Sequence, residues 1–129
     1  MKWTIAVIGT LDTKGEEFSF LKDEIEKRGC RTLIIDVGVL GQPMIEPDIP
    51  AEVVAEAGGA RLSDLREQHD RGKALDTMSI GIAKVMRQLY EEGRVDAVIS
   101  MGGGGGTAIG TSGMRVLPVE VPKVMVSTI

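Results

Sequence analysis

Cysteine is nearly absent. Cys30 is the single one in 129 residues, so no internal disulfide can form, and His69 is the single histidine, so no Cys/His cluster of metal-ligand spacing exists. This usage fits a reducing, cytoplasmic setting. Aromatic residues make up 3% of the chain, so a core must come from aliphatic side chains and seven methionines. Long apolar runs are missing too. Ile5–Ile8 is too short for a signal peptide, and nothing approaches a membrane span, so no membrane partner is expected. Nor is there a basic excess: the net charge of −4 argues against general nucleic-acid binding.

Glycine is what the chain has in excess, with 17 residues, against an average share of roughly 7%. Five are consecutive in Ser100-Met101-Gly102-Gly103-Gly104-Gly105-Gly106-Thr107-Ala108-Ile109-Gly110. Such a run cannot pack a core and is entropically costly to order. It belongs where residues need a positive φ or where something approaches the backbone closely. Val95–Ser100 before it reads as a buried strand, and Thr107-Ala108-Ile109 after it as a helix start. Strand, glycine loop and helix together expose backbone N–H groups to a phosphate.

The length allows one domain with one core. Thr4–Ile8 reads as a first strand buried on both faces. The loop Gly9-Thr10-Leu11-Asp12-Thr13-Lys14-Gly15 follows, and Thr13-x-x-Glu16 fits a capping box opening a helix that stops at Gly29. Thr32–Asp36 is a second strand. Residues 37–49 lack periodicity and read as an ordered excursion above the sheet. Pro50 opens a short helix to about Ala57, and residues 60–69 carry a weak helical turn. The longest helix spans about 70–92, with Leu75, Met78, Ile82, Val85, Met86 and Leu89 as its apolar stripe. The third strand, the glycine loop, a helix over 107–114 and a fourth strand over 123–127 complete the chain.

Strands alternating with helices predict an α/β fold: an open parallel sheet in the order 2-1-3-4, with helices on both faces. The winding reverses between strands one and three. Ligands bind at such a switch point, beyond the carboxyl ends of the strands, where loops 9–15 and 101–107 lie. The candidate nucleotide-binding residues are therefore Gly9, Thr10, Asp12, Thr13, Lys14, Asp36, Gly102, Gly103, Gly104, Gly105, Gly106 and Thr107. No Gly-Lys-Ser/Thr follows the glycines, so this is not a Walker A loop, and the dinucleotide fingerprint is met almost automatically by five glycines. Thr107 fits a ligand contact or a helix cap equally well. Lys14, Arg71 and Lys73 sit at helix starts, where a cation has the wrong sign for the dipole unless an anion joins it; solvated surface charge is the alternative for each. Asp12 fits a cap better than a metal ligand, and no metal site is expected. Asp36 fits a ribose contact or a turn. His69 has no nucleophile pattern near it, Cys30 reads as a small buried residue, and no catalytic residue is assigned.

Three segments then carry a resemblance: Gly9-Thr10-Leu11-Asp12-Thr13-Lys14-Gly15-Glu16, the 102–107 loop and Pro122-Lys123-Val124-Met125-Val126-Ser127-Thr128. Together they resemble the ATP-binding domain family named after the tomato mosaic virus resistance protein, over nearly all of the chain. The resemblance implies a Rossmann-like subdomain, ATP binding with magnesium left open, and self-association as a homodimer or higher homo-oligomer. It also implies that residues 1–129 are the N-terminal part of a longer protein with a second α/β subdomain. A cleft completed by that part is open or absent here.

The leading expectation is an ATP- or nucleotide-binding module. A nucleotide-dependent hydrolase or transferase, with catalytic groups in the other half, is the second. An assembly module whose glycines serve packing is the third. If Val124, Met125 and Val126 form a strand covered on both faces, its lateral edge is an expected site of self-association, with helices 75–89 and 107–114 beside it.

Overall fold

The computed structural model describes residues 2–128. Along them run strand β1 (Thr4–Gly9), helix α1 (Gly15–Lys27), strand β2 (Arg31–Asp36), helices α2 (Ala51–Ala57), α3 (Leu62–Gln68) and α4 (Arg71–Glu91), strand β3 (Ala97–Gly102), helix α5 (Gly104–Arg115) and strand β4 (Lys123–Ser127). The strands form one parallel sheet in the order β2-β1-β3-β4. The predicted topology is therefore the observed one.

Alternate residues of each strand face opposite ways. Ala6, Ile8, Leu33, Ile35 and Val98 belong to a large core shared with α2, α3, α4 and α5. Val7 and Ile34 point to the other face, where Leu11, Phe18 and Ile25 form a smaller core beneath α1. Continuous apolar runs in β1 and β2 are what burial on both faces requires. On the crowded face the helices come very close. A Cβ on Gly81 of α4 would collide with the Val54 carbonyl oxygen of α2, so only glycine allows this approach.

Four local expectations are corrected. The capping box does not form: Lys14 is the N-cap of α1 and makes no side-chain cap bond. The Thr10 carbonyl instead accepts the N–H groups of Thr13 (3.2 Å) and Lys14 (3.0 Å), a tight turn that delays the helix to Gly15. Residues 62–68 form a full helix, because Leu62 and Leu65 are buried in the large core. The glycine run is mostly not a loop: Gly102 ends β3, Gly103 is the N-cap, and Gly104, Gly105 and Gly106 form the first turn of α5. Packing of the later turns against α4 and the sheet extends the helix back through residues of poor propensity. Finally, β4 is covered on one face only, with Val124 50% and Val126 47% exposed.

Candidate functional site

Both of the predicted switch-point connections reach one cleft, of about 590 Å³, at the carboxyl edge of the sheet. Thr10 follows β1 there, and Gly105 and Gly106 present the start of α5. Val37, Val39 and Leu40, from the excursion after β2, supply one apolar wall; Leu65, Leu75 and Ile109 supply more. Arg66, His69, Asp70 and Arg71, at the α3–α4 corner, supply the polar groups.

Gly105 and Gly106, the two glycines of the run that line the cleft, are not explained by the fold. None from Gly102 to Gly106 has a positive φ; the described glycines that do are Gly29, Gly59 and Gly93. At Gly105 an added Cβ would meet nothing within 4 Å, and at Gly106 only the Met101 carbonyl oxygen at 3.8 Å. Gly102 differs, since its Cβ would lie 2.9 Å from the Gly106 Cα. Glycine in a helix costs about 1 kcal/mol relative to alanine. Neither backbone conformation nor packing demands that cost at Gly105. The first α5 amide bonded within the helix is that of Thr107, to the Gly103 carbonyl at 2.9 Å. Those of Gly104, Gly105 and Gly106 precede it, where helix geometry provides no acceptor and the dipole is positive.

The remaining candidates have other occupations. The Thr107 hydroxyl is neither cap nor cleft group; it bonds the Gly102 carbonyl (3.3 Å) and the Ser127 hydroxyl (2.8 Å), tying α5 to the strand ends. Gly9 is buried against the Phe18 ring. Thr13 bonds back to Thr10. Asp12 Oδ2 accepts the N–H groups of Leu40 (2.9 Å) and Gly41 (3.0 Å), so it anchors the excursion. Asp36 is 2% exposed, and its Oδ1 accepts the N–H groups of Gly38 (2.9 Å) and Leu11 (3.2 Å). Burial pushes its carboxyl above the ordinary aspartate range, against those two hydrogen bonds and with the nearby Asp12 charge adding to the rise. Lys14 and Lys73 do not line the cleft; the Lys73 N–H is capped by Asp70 Oδ1 at 3.0 Å.

Arg66 is the residue the sequence reading missed. Its Nε donates to the Val39 carbonyl (2.7 Å) and its Nη2 to the Gly41 carbonyl (3.0 Å). Gly41 is thus held at its N–H by Asp12 and at its C=O by Arg66. The sequence carries only a faint sign of its helix, Leu62 and Leu65 spaced three apart in a polar heptamer, and none of its partners. His69 lines the cleft in the left-handed conformation, φ 51°, that ends α3.

Residues 3–129 match the family described as "Uncharacterised protein family (UPF0261) N-terminal domain". The chain belongs to the UPF0261 family. It is 48% identical over 129 residues to a UPF0261 protein of Clostridium tetani, covering 100% of this chain and 32% of the relative. A UPF0261 protein of Rhizobium meliloti is 44% identical over 125 residues, covering 97% and 30%. A distant match, 26% identical over 142 residues, is the tomato (Solanum lycopersicum) ToMV susceptible protein tm-1(GCR26), covering 95% of this chain and 18% of that protein. The chain thus spans about a third of the length of the UPF0261 relatives. No described helix is long and apolar enough to cross a membrane.

Proposed function

We propose that this UPF0261 domain binds a nucleotide, ATP first among the candidates, with its phosphates against the first turn of α5. The observation that carries the reading is Gly105: a helical glycine on the cleft, with ordinary φ and open space where its Cβ would be. The amides of the first helical turn and the positive end of the dipole match a phosphoryl group. Arg71 on the same cleft supplies the countercharge, and Val39, Leu40, Leu65 and Leu75 offer an apolar surface for a base. The cationic role falls to Arg71 rather than Lys14, because Lys14 lies outside the lining. Asp70 is the one carboxylate on the cleft and its Oδ1 is already engaged, so magnesium would arrive on the phosphates.

Calorimetric titration of ATP, ADP, adenosine and inorganic phosphate into the folded chain tests the reading. ATP should bind, adenosine should bind at least tenfold more weakly, and added salt should weaken ATP binding. Absence of ATP binding both to this chain and to the full-length Clostridium tetani relative overturns it.

A further inference from the structure

The sheet is covered unevenly, and its topology says why. The step from β1 to β2 runs one way across the sheet; the steps from β2 to β3 and from β3 to β4 run the other way. Right-handed crossovers then place α1 alone on one face and α2 to α5 on the opposite one. One helix cannot span four strands, and α1 packs on β1 and β2.

The register shows where cover ends. Ile34, Val7, Ile99 and Val124 form one row across the α1 face. Ile34 and Val7 are fully buried, Ile99 is half-buried, and Val124 is 50% exposed. Met101 and Val126, paired one step along, repeat the gradient from half-buried to 47% exposed. On the opposite face the row Ile35, Ile8, Ser100 and Met125 stays covered, with Met125 packed on the large core. Val124 and Val126 therefore carry the residue pattern of a doubly covered strand on a face that α1 does not reach.

We infer that this open half-face, Ile99, Met101, Val124 and Val126, is an internal docking seat. Its occupant is an apolar helix face supplied by the chain that the full-length relatives carry beyond the matched region. Two features choose this occupant. The relatives have roughly two thirds of their length outside the match, enough for such an element. The seat also adjoins α1 in the same layer, so a helix there completes that layer at the usual spacing of about 10 Å above the sheet.

The test is solvent labelling of one introduced thiol. In a Cys30→Ser background, Val126→Cys is placed in this chain and in a chimera joining it to the remaining two thirds of the Clostridium tetani relative. Both are labelled with a maleimide at submicromolar concentration. At least tenfold slower labelling in the chimera, unchanged on dilution, is the expected result. Equal rates in a chimera that folds overturn the proposal. So does protection that disappears on dilution, which would assign the seat to a second copy. Where the chimera does not fold, the same cysteine at the aligned position of the intact relative and of its N-terminal third gives the same two outcomes.

Discussion

Gly105 shows how a residue can be legible in a sequence while its reason is not. The five-glycine run marked the site, but it left two explanations standing, a positive φ or a close approach to the backbone. Ordinary φ values remove the first. Gly105→Ala should therefore fold at least as well as the parent, gaining about 0.5–1 kcal/mol. It should lose ATP affinity by ten- to a hundredfold, since the methyl group would displace contacts worth roughly 1.5–3 kcal/mol. Denaturant melts and calorimetry on the same preparation check both halves; unchanged affinity refutes the phosphate placement. Asp36 makes the complementary point. Its place at the end of β2 is readable, whereas the N–H groups of Leu11 and Gly38 that meet its carboxylate depend on how the connections after β1 and β2 fold. Because its carboxyl is raised in the folded state, the stability it contributes is present below the ordinary aspartate pKa and is lost as pH rises through the folded value. Asp36→Asn cannot ionise, so its stability relative to the parent should climb with pH from about 4 upward. Chemical denaturation across pH reads this directly, and a pH-independent difference contradicts it.

Among the elements, those with strong periodicity were placed well and those set by tertiary contact were not. α4 announced itself by its apolar stripe, and β4 was placed to the residue. α3 is faint in the sequence because two buried leucines in a polar heptamer give little pattern. The start of α5 is hidden because glycine propensity argues for a loop, and packing of the later turns overrides it. The excursion over residues 37–49 reads as ordered, but the sequence does not show how it is held. Its cleft wall hangs between two opposite charges, Asp12 on the N–H side of Gly41 and Arg66 on the C=O side. Neither partner is near it in sequence, so no local signal existed. Arg66→Ala should free this wall. Amide exchange at Leu40 and Gly41 should quicken at least tenfold, while amides in β1 change far less. Global stability should fall by roughly 1.5–3 kcal/mol, the scale of hydrogen bonds to a charged group. Uniform acceleration across the protein would mean that Arg66 supports the whole fold rather than the wall.

At the scale of the molecule, the order 2-1-3-4 followed from apolar strands, intervening helices and the handedness of crossovers. Exposure of β4 did not, because Val124-Met125-Val126 carries the pattern of a strand covered on both faces, whereas Val124 and Val126 lie where α1 does not reach. The two lateral edges of the described sheet also differ in a way composition hides. Along β2 the excursion returns as a partial strand: Ile49 bridges Ile35, the N–H groups of Asp48 and Ile49 reach the Ile34 carbonyl at 2.8 and 3.0 Å, and Asp48 Oδ2 takes the Ile34 N–H at 2.7 Å. Along β4 the protection is slight. Pro122 precedes the strand, and the Lys123 ammonium is turned back onto the Pro118 and Val121 carbonyls at 2.7 and 2.9 Å. An apolar edge with so little charge recruits another strand. The 129-residue chain is therefore expected to self-associate on the order of tens of micromolar, most simply by antiparallel pairing of β4 with its symmetry copy about a two-fold axis. Sedimentation equilibrium is the measurement. Val126→Lys, which puts a charge on the edge strand at a position already 47% exposed, should shift the equilibrium toward monomer without loss of fold. A parent chain that stays monomeric throughout that range would show that β4 needs no pairing partner, and that its exposed valines alone do not make an adhesive edge.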